Sequence, residues 1–521
     1  MVFFDKGVAP WDNNSNQPLL PVIIAGAGPS GLVAALTLQK YGVPFVIYER
    51  NASDKICCNS GRGIDLSPSA IKILEQELGL SNSLDAVMKP YEYIEIRNMD
   101  GKHINTLRFK ELSERKRQLT GQRNFSFASR SKLQHVLLEA LCLTDGNGRI
   151  KDHRNGTLRC GISVTGYTKM MGKFIQVQLD NGMKVKGSAL LAGDGVHSSV
   201  RQCMHERVPD SLQFTNQVGW WGTSLVKPGS ALEQELQHIA ADRNIQGYNV
   251  GLIVLGTSEN PGCFYANEIS RNVYNWAYFT ENNRSDPNAD LIRRGGRVPS
   301  EAEKKSELVD MIPSTNNMLR LFLESTPAAN ITRSALFERN GNLPTVDGRV
   351  ALLGDAAQNY HPIRGEGASK ALADGYVAAM RLATAIMGKS NGNNSKKSPS
   401  IEHALAGFDS RRRRKGSNTL AQKSCKYGQR ATSDSGLSCW LQTTSFKFMT
   451  PSKTIRKVRK GDKSNRRFVS DMIKELKPYP KPVKSIGPPS LQCSRSHDVS
   501  VDLTPSKSFR EEDVGCLCID F

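Results

Sequence analysis

The sequence is poor in the signals that mark several large protein classes. Its eleven cysteines fall at no CxxC metal spacing and form no dense framework. Cys57-Cys58 is a vicinal pair and Cys516-Leu517-Cys518 lies near the end, so neither a structural zinc site nor a secreted disulfide scaffold is indicated, and no metal is expected. No apolar run is long enough to span a bilayer. Residues 1–17 are polar and Asn-rich, which is not a basic-then-apolar leader. Apolar residues make up only 38% and mean hydropathy is −0.42, low for a wholly folded chain. The reading is an intracellular, cytoplasmic protein with a folded part and a polar, poorly ordered part.

Charge is also unevenly spread. The chain carries a net +20, yet residues 411–521 hold 24 Lys/Arg against 10 Asp/Glu. The basic balance therefore belongs mainly to the tail and says little about the fold. Beyond about Ser424 no apolar period is sustained, and Ser, Lys, Arg and Pro dominate. Residues 426–521 read as a disordered basic tail, with a short helix near 468–476. Arg411 to Arg414 and the 453–467 stretch leave a weak peripheral membrane contact open, with no specific nucleic-acid partner expected. Residues 1–18 read as a disordered lead-in.

What the chain does contain is concentrated at Pro21 to Arg50. Val22 to Ala25 is an apolar run of strand length. Gly26, Gly28 and Gly31 follow at GxGxxG spacing, with Ser30 among them. Leu32, Ala35, Leu36 and Leu38 then recur at helical spacing until Gly42, and Val43 to Tyr48 leads to Glu49. Strand, glycine turn, helix, strand and acid together predict a dinucleotide-binding βαβ unit. The glycines allow a tight turn, close approach of backbone to a pyrophosphate, and close helix packing. The helix N-terminus offers unpaired N–H groups to the phosphates. Glu49 stands where a ribose hydroxyl can donate to it. This unit alone does not choose between NAD and FAD.

Two later segments repeat the strand-then-acid theme. Ser188 to Gly195 reads as a buried strand ending at Asp194, with Ser198 and Arg201 beyond it. Gly348 to Ala357 reads as a strand ending at Gly354-Asp355. It is followed by Pro362, by Gly365-Glu366-Gly367 and by a small-residue helix over 368–386. Acids at the carboxyl ends of strands are where open α/β sheets contact ligands. Ser129 predicts a cap for a helix that would place Arg130 in its first turn. Hairpins are expected around Asp100-Gly101 and Asp180-Asn181-Gly182. Between about 206 and 340 the texture changes to a mixed sheet rich in aromatics, with helical stretches at 231–240 and 301–324. A further helix is expected over 401–423.

In that order, GAGPSG with Glu49-Arg50, ALLAGDGVHSSVR (189–201) and LLGDAAQNYHPIRGEG (352–367) resemble the three signatures of the single-component FAD-dependent monooxygenases. That is the group A aromatic-hydroxylase type with the p-hydroxybenzoate hydroxylase fold. The resemblance covers residues 20–425, thinly in the middle. It implies an α/β fold: a Rossmann-like FAD-binding domain in two pieces, 19–205 and 341–425, with a substrate-facing mixed β domain, 206–340, inserted between them. It implies FAD as the held dinucleotide and NAD(P)H as co-substrate. By the family pattern Gly26, Gly28, Ser30, Gly31, Glu49 and Arg50 would serve the adenosine half. Arg62, Gly63 and Arg130 would make further contacts to the flavin, Arg130 near the pyrophosphate. Asp355 would hold ribitol or pyrophosphate, Pro362, Gly365 and Gly367 would lie beside the isoalloxazine, and Asp194 would serve both flavin and NAD(P)H. The implied reaction adds O2 to reduced flavin and passes one oxygen from a flavin C4a-hydroperoxide to hydroxylate or epoxidise a hydrophobic small molecule, aromatic ones included. No general base is implied. Gln358 replaces a frequent His, Ser369 a frequent Asn, and AGDG the usual GADG, each keeping small size or hydrogen-bonding capacity. Rival readings are a reductase, oxidase or halogenase on the same fold, or a flavin-binding interaction protein using the tail. No WxWxIP halogenase motif is present.

Overall fold

The computed structural model describes residues 11–414 except 13–16, 58–61, 111–113, 115–122, 124, 146, 151–156, 171–173, 209–211, 246–249, 282–299, 314–315, 340–342 and 391–398, together with positions 426, 429, 432, 435 and 447. In chain order, β1 (Val22–Ala25), α1 (Pro29–Lys40) and β2 (Phe45–Glu49) form the opening unit. Then come β3 (Gly63–Leu66), α2 (Pro68–Lys72), β4 (Met88–Pro90), β5 (Tyr93–Asn98) and β6 (His103–Arg108). Next are β7 (Ser126–Ser129), α3 (Arg130–Ala140), β8 (Leu158–Cys160), β9 (Val164–Met170), β10 (Phe174–Leu179), β11 (Lys184–Gly187), β12 (Ala189–Ala192) and α4 (Ser199–Met204). They are followed by β13 (Leu212–Leu225), α5 (Ala231–Asp242), β14 (Val250–Leu255), β15 (Cys263–Ser270), β16 (Val273–Glu281), α6 (Glu301–Asp310), α7 (Asn317–Glu324) and β17 (Thr332–Arg339). The last are β18 (Val346–Asp347), β19 (Val350–Leu352), α8 (Gly367–Ser390) and α9 (Ile401–Arg414).

The first layer system is a six-stranded sheet in the order β8-β2-β1-β12-β19-β18. Its strands are parallel except for β18. A parallel sheet covered on both faces needs apolar residues at every position, and alternation along each strand divides them between two cores. Val22 and Ile24, Ala189 and Leu191, and Ala351 face the helices α1, α3, α8 and α9. Ile23 and Ala25, Leu190 and Ala192, and Val350 and Leu352 face the antiparallel meander β9-β10-β11. Both strand-end acids follow from this arrangement, since β12 and β19 run parallel to β1 and deliver Asp194 and Asp355 to the same edge as the glycine turn.

The second system is a seven-stranded sheet in the order β17-β13-β16-β15-β14-β5-β6. One face, including Trp220, Trp276, Tyr274 and Phe264, packs under α5 and α7. The other, with Trp221, Phe279, Tyr265, Ile253 and Ile96, faces Ile363 of the loop before α8. A small sheet, β3-β7-β4, joins the two systems. Gly63 N–H donates to Asn275 Oδ1 (2.6 Å) and Lys89 pairs with Glu268 (2.6 Å).

Two expectations change. The hairpin β5–β6 was expected in the 19–205 unit, but β5 pairs in parallel with β14 and so extends the large sheet. The helix expected over 301–324 is two helices, α6 and α7, because Pro313 lacks the N–H a continuing helix needs and Asn316 caps the second helix by accepting from Leu319 N (3.2 Å). Of the helix expected over 401–423, residues 401–414 are helical and the rest lies outside the described residues. The lead-in and tail expectations lie almost wholly outside the described residues. Within them, Trp11–Asp12 pairs with Gln17–Pro18, and Thr432 is buried, its hydroxyl accepting from Gln217 Nε2 (2.5 Å).

Candidate active site

The glycine turn is built by close approach. Gly26 has φ +92°, and a Cβ there would lie 2.6 Å from the Gly193 carbonyl oxygen. A Cβ on Gly31 would lie 2.1 Å from the Gly26 carbonyl, and one on Gly193 would lie 2.6 Å from Ser30 Oγ. The turn after β1 and the end of β12 therefore fit together only without side chains. Gly28 caps α1 with no side-chain acceptor, which leaves the first-turn N–H groups of α1 to an outside partner. Glu49 is buried. Its Oε2 accepts from Ala27 N–H (2.7 Å) and its Oε1 from Asn51 N–H (2.9 Å), and each carboxylate oxygen keeps a lone pair for a hydroxyl. Arg50 is exposed. From α3, buried Gln134 donates to the Ala27 carbonyl (2.7 Å) and fixes the turn from behind.

Asp194 and Asp355 frame the other side. Asp194 Oδ2 accepts from Val200 N–H (3.3 Å). Its Oδ1 is buried without a hydrogen-bond partner among the described residues. Burial pushes its carboxyl above the usual range, opposed by hydrogen bonds from Ser198 and the α4 backbone. Asp355 is exposed at its side chain, at the same sheet edge as Arg130 and Arg339. Burial raises its carboxyl too, while Arg130, Arg339 and Arg62 pull it down and Asp374 raises it. Arg130 opens α3, its N–H donating to the Arg62 carbonyl (3.2 Å). Arg339 is buried; it donates to the Asp355 carbonyl (3.0 Å) and to Val196 O. Gln358 Nε2 donates to Arg339 O (3.0 Å), so the residue in place of the family's frequent His holds the turn after β19 against the end of β17. Behind that turn, Asp374 of α8 accepts from Gly354 N–H (3.1 Å) and from Arg412 Nε of α9 (3.1 and 3.0 Å), an ion pair in which both side chains are 3% exposed.

The third group meets the large sheet. Gly365 has φ +61° and a Cβ there would lie 2.1 Å from Asp65 Oδ2, while a Cβ on Gly367 would meet nothing within 4 Å. Arg62 donates to Ser334 Oγ (2.6 Å) and lies 4.8 Å over the Trp221 ring. His361 Nδ1 accepts from Ile363 N–H (3.3 Å), which leaves Nε2 as the donor to Gln217 Oε1 (2.8 Å). Burial lowers its pKa to about 4, so the ring is neutral. Ser369 accepts from Ser67 N–H (2.9 Å) and joins the end of β3 to α8.

All the residues expected at the site thus lie at one edge of the six-stranded sheet or between it and the large sheet, apart from Arg50, which is at the surface. The residues fit a flavin dinucleotide. The α1 N-terminus has no side-chain cap, Asp194 Oδ1 has no partner among the described residues, the Asp355 side chain is exposed, and a Cβ on Gly367 would meet nothing within 4 Å. Sequence reasoning missed Asp65, Gln134, Asn275, Arg339 and Arg412. Only Asp65 carried a signal, an acid inside the strand-like run Gly63 to Leu66.

Residues 20–243 match the family model described as FAD binding domain. The aurachin C monooxygenase/isomerase of Stigmatella aurantiaca is 23% identical over 85% of this chain and 97% of that protein. The chloroplastic zeaxanthin epoxidase of Prunus armeniaca is 26% identical over 71% of this chain and 49% of that protein. Among solved structures, Klebsiella pneumoniae HpxO complexed with FAD and uric acid superposes with TM-score 0.65 at 18% identity, over 86% of this chain and 97% of that one. A salicylate hydroxylase substrate complex gives TM-score 0.61 at 18% identity, over 88% and 98%. Among the described residues, no helix is long and apolar enough to cross a membrane.

Proposed function

We propose that this chain, an FAD-dependent oxidoreductase of the group A monooxygenase type, uses NADH or NADPH and O2 to hydroxylate or epoxidise a hydrophobic small molecule. The observation that carries the reading is the convergence of two strand-end acids, one with an orphaned oxygen, on a side-chain-free glycine turn beside Arg130 and Arg339. FAD, when bound, supplies the redox chemistry: it accepts two electrons from the nicotinamide and activates O2.

The chain's own residues bind, orient and shield. Backbone N–H groups at the start of α1 receive the pyrophosphate, and the bare glycines let it approach. Glu49 accepts from the adenosine ribose hydroxyls. Asp355 accepts from ribitol hydroxyls, with Arg130 and Arg339 opposing the rise that burial gives its carboxyl. Asp194 takes a hydroxyl or amide donor at its free Oδ1. Pro362, Gly365 and Gly367 edge the isoalloxazine, while Arg62 and Gly63 tie that edge to the large sheet. Trp221, Phe279 and Tyr265 exclude water from the reacting face. Residues 19–205 and 341–425, less the 93–108 hairpin, form the FAD-binding unit in this reading, and 206–340 with that hairpin form the substrate wall. The relatives favour an oxygenation, since they include a monooxygenase and an epoxidase by name and a structure holding uric acid.

The test is anaerobic reduction of the FAD-loaded protein by NADH and by NADPH, then aerobic turnover across aromatic and alkene substrates. Substrate-stimulated nicotinamide oxidation, with one oxygen atom added to product by mass, supports the reading. A purified protein that neither holds nor takes up FAD overturns it.

A further inference from the structure

Gln217 and Thr432 have no task in the proposed function, yet both are buried, at 1% and 0% exposure. Thr432 lies beyond 20–425, the stretch that the family resemblance covers. Gln217 sits in an irregular part of β13. The strand pairs with β17 up to Phe214, opposite Phe337, and again from Val218, opposite Ala335, with Asn216 between at φ +60°. A bulge of this kind re-aims a side chain, and Gln217 is aimed at the loop before α8. Its Oε1 accepts from His361 Nε2 (2.8 Å), and its Nε2 donates to Thr432 Oγ1 (2.5 Å). At the loop end, His361 Nδ1 accepts from Ile363 N–H (3.3 Å). At the tail end, the Thr432 hydroxyl donates to the Gln429 carbonyl (3.5 Å).

These four hydrogen bonds run in one direction. A backbone N–H only donates and a carbonyl oxygen only accepts, so Ile363 N–H fixes one end of the relay and Gln429 O the other. The neutral His361 ring then carries its proton on Nε2, Gln217 turns its oxygen to that proton, and Thr432 accepts from the amide. Reversing any link sets two donors or two acceptors face to face at the next one. The His361 ring is also seated against Phe279, with centroids 5.9 Å apart. A buried donor left without its acceptor disfavours an arrangement about five- to hundredfold. Losing the Thr432 oxygen therefore frees Gln217 to turn away, and His361 loses the acceptor that holds it.

We propose that Thr432 is a positioning residue of the flavin site: through Gln217 and His361 it sets the Pro362–Gly367 loop in place for the isoalloxazine before FAD arrives. The inference rests on the reading that puts this loop beside the isoalloxazine. The loop is held at two points. At Gly365, Asp65 fills the space a Cβ would need, its Oδ1 accepting from the Tyr91 hydroxyl. At Ile363 the hold is the relay from Thr432. A loop that is already ordered costs its ligand less to bind. The adenosine half of the site is fixed by other means. Glu49 accepts from Ala27 and Asn51, and Gln134 donates to the Ala27 carbonyl. A residue of the basic tail thus acts on the flavin end of the dinucleotide and leaves the adenosine end alone.

The experiment measures the Kd of FAD and of ADP by titration calorimetry on the full chain, freed of any flavin. ADP carries the adenosine and pyrophosphate without the flavin. Thr432→Val, which keeps the shape and removes the hydroxyl, should raise the Kd of FAD about fivefold or more and leave that of ADP unchanged. Thr432→Ser, which keeps the hydroxyl, should restore FAD binding. Gln217→Leu should weaken FAD to a similar degree, and the double variant should match the weaker single variant within about twofold, because both changes break one relay. A Thr432 that only supports the fold would weaken FAD and ADP alike. That result, an unchanged Kd of FAD in Thr432→Val, no recovery in Thr432→Ser, or losses that multiply in the double variant overturns the inference. Should Thr432→Val not fold, Gln217→Leu carries the same comparison of FAD with ADP. A wild-type chain that binds no FAD sinks the monooxygenase reading instead, whereas one that binds FAD no better than Thr432→Val sinks only this inference.

Discussion

At the residue scale, two titratable groups that touch the Pro362–Gly367 loop, His361 and Asp65, have opposite pH signatures. His361 is held neutral, its folded pKa near 4. Its contribution to stability is present at neutral pH and is lost as pH falls from the unfolded value of about 6.5 towards 4. Asp65 has its folded pKa raised to about 6, so the folded state binds the proton first. That contribution is present below the unfolded pKa and is lost as pH rises through 6. The two largely oppose each other between about pH 4 and 6. Asp65→Asn should therefore steepen the loss of stability on acidification, and His361→Gln should flatten it, by about 1–3 kcal/mol each. Urea unfolding of the two variants at several pH values checks both signs. Gly26→Ala places a Cβ against the Gly193 carbonyl at a backbone angle that favours glycine. It should cost about 1–3 kcal/mol and most of the bound flavin, read as the ratio of flavin to protein absorbance after purification.

At the scale of elements, the turn that carries Asp355 is held from behind by two helices. Asp374 of α8 bonds the Gly354 N–H, and Arg412 of α9 neutralises Asp374. Burial raises the Asp374 carboxyl and Arg412 draws it back down. Removing one member of a buried pair costs about 3–5 kcal/mol, because it leaves the other charge uncompensated. Arg412→Leu should lower Tm and weaken FAD affinity together. Asp374→Asn/Arg412→Leu should regain much of the Tm, since it buries no unpaired charge. Differential scanning fluorimetry with flavin titration separates the two. The first half of this arrangement is legible in the sequence, where Leu352 to Gly354 predicts a strand and turn ending at Asp355. Arg412 is not, because it sits in a basic run that reads as a solvated surface stretch. Only the packing of α9 against α8 turns one arginine of that run inward.

At the scale of the whole molecule, the strand order decides what meets what. β3, β7 and β4 hinge the six-stranded sheet to the seven-stranded one, and the Asp65–Tyr91 pair stands between them. A ligand that touches both systems and binds only the folded state stabilises the whole by mass action, about 2.7 kcal/mol at a hundredfold excess over Kd. FAD should accordingly raise Tm in a concentration-dependent way. The rise should be smaller in Gly63→Ala, where the Cβ would meet the Phe127 ring at 2.1 Å. Parallel thermal melts at stepped FAD concentrations check this. An unchanged Tm in saturating FAD would contradict a ligand shared by the two sheets.

The sequence by itself determined the opening βαβ, the two strand-end acids, the Ser129 cap and the aromatic character of the second sheet. These are local: glycine spacing, strand-length apolar runs and capping residues act over a few positions. The family resemblance follows from the order of those local signals. Tertiary structure alone decided that β5 and β6 join the large sheet, since parallel pairing of Tyr93 with Val250 leaves no mark in either segment. It alone brought Tyr91 to Asp65, Arg339 to Asp355 and Arg412 to Asp374, pairs 26, 16 and 38 residues apart whose partners are chosen by sheet order and helix packing.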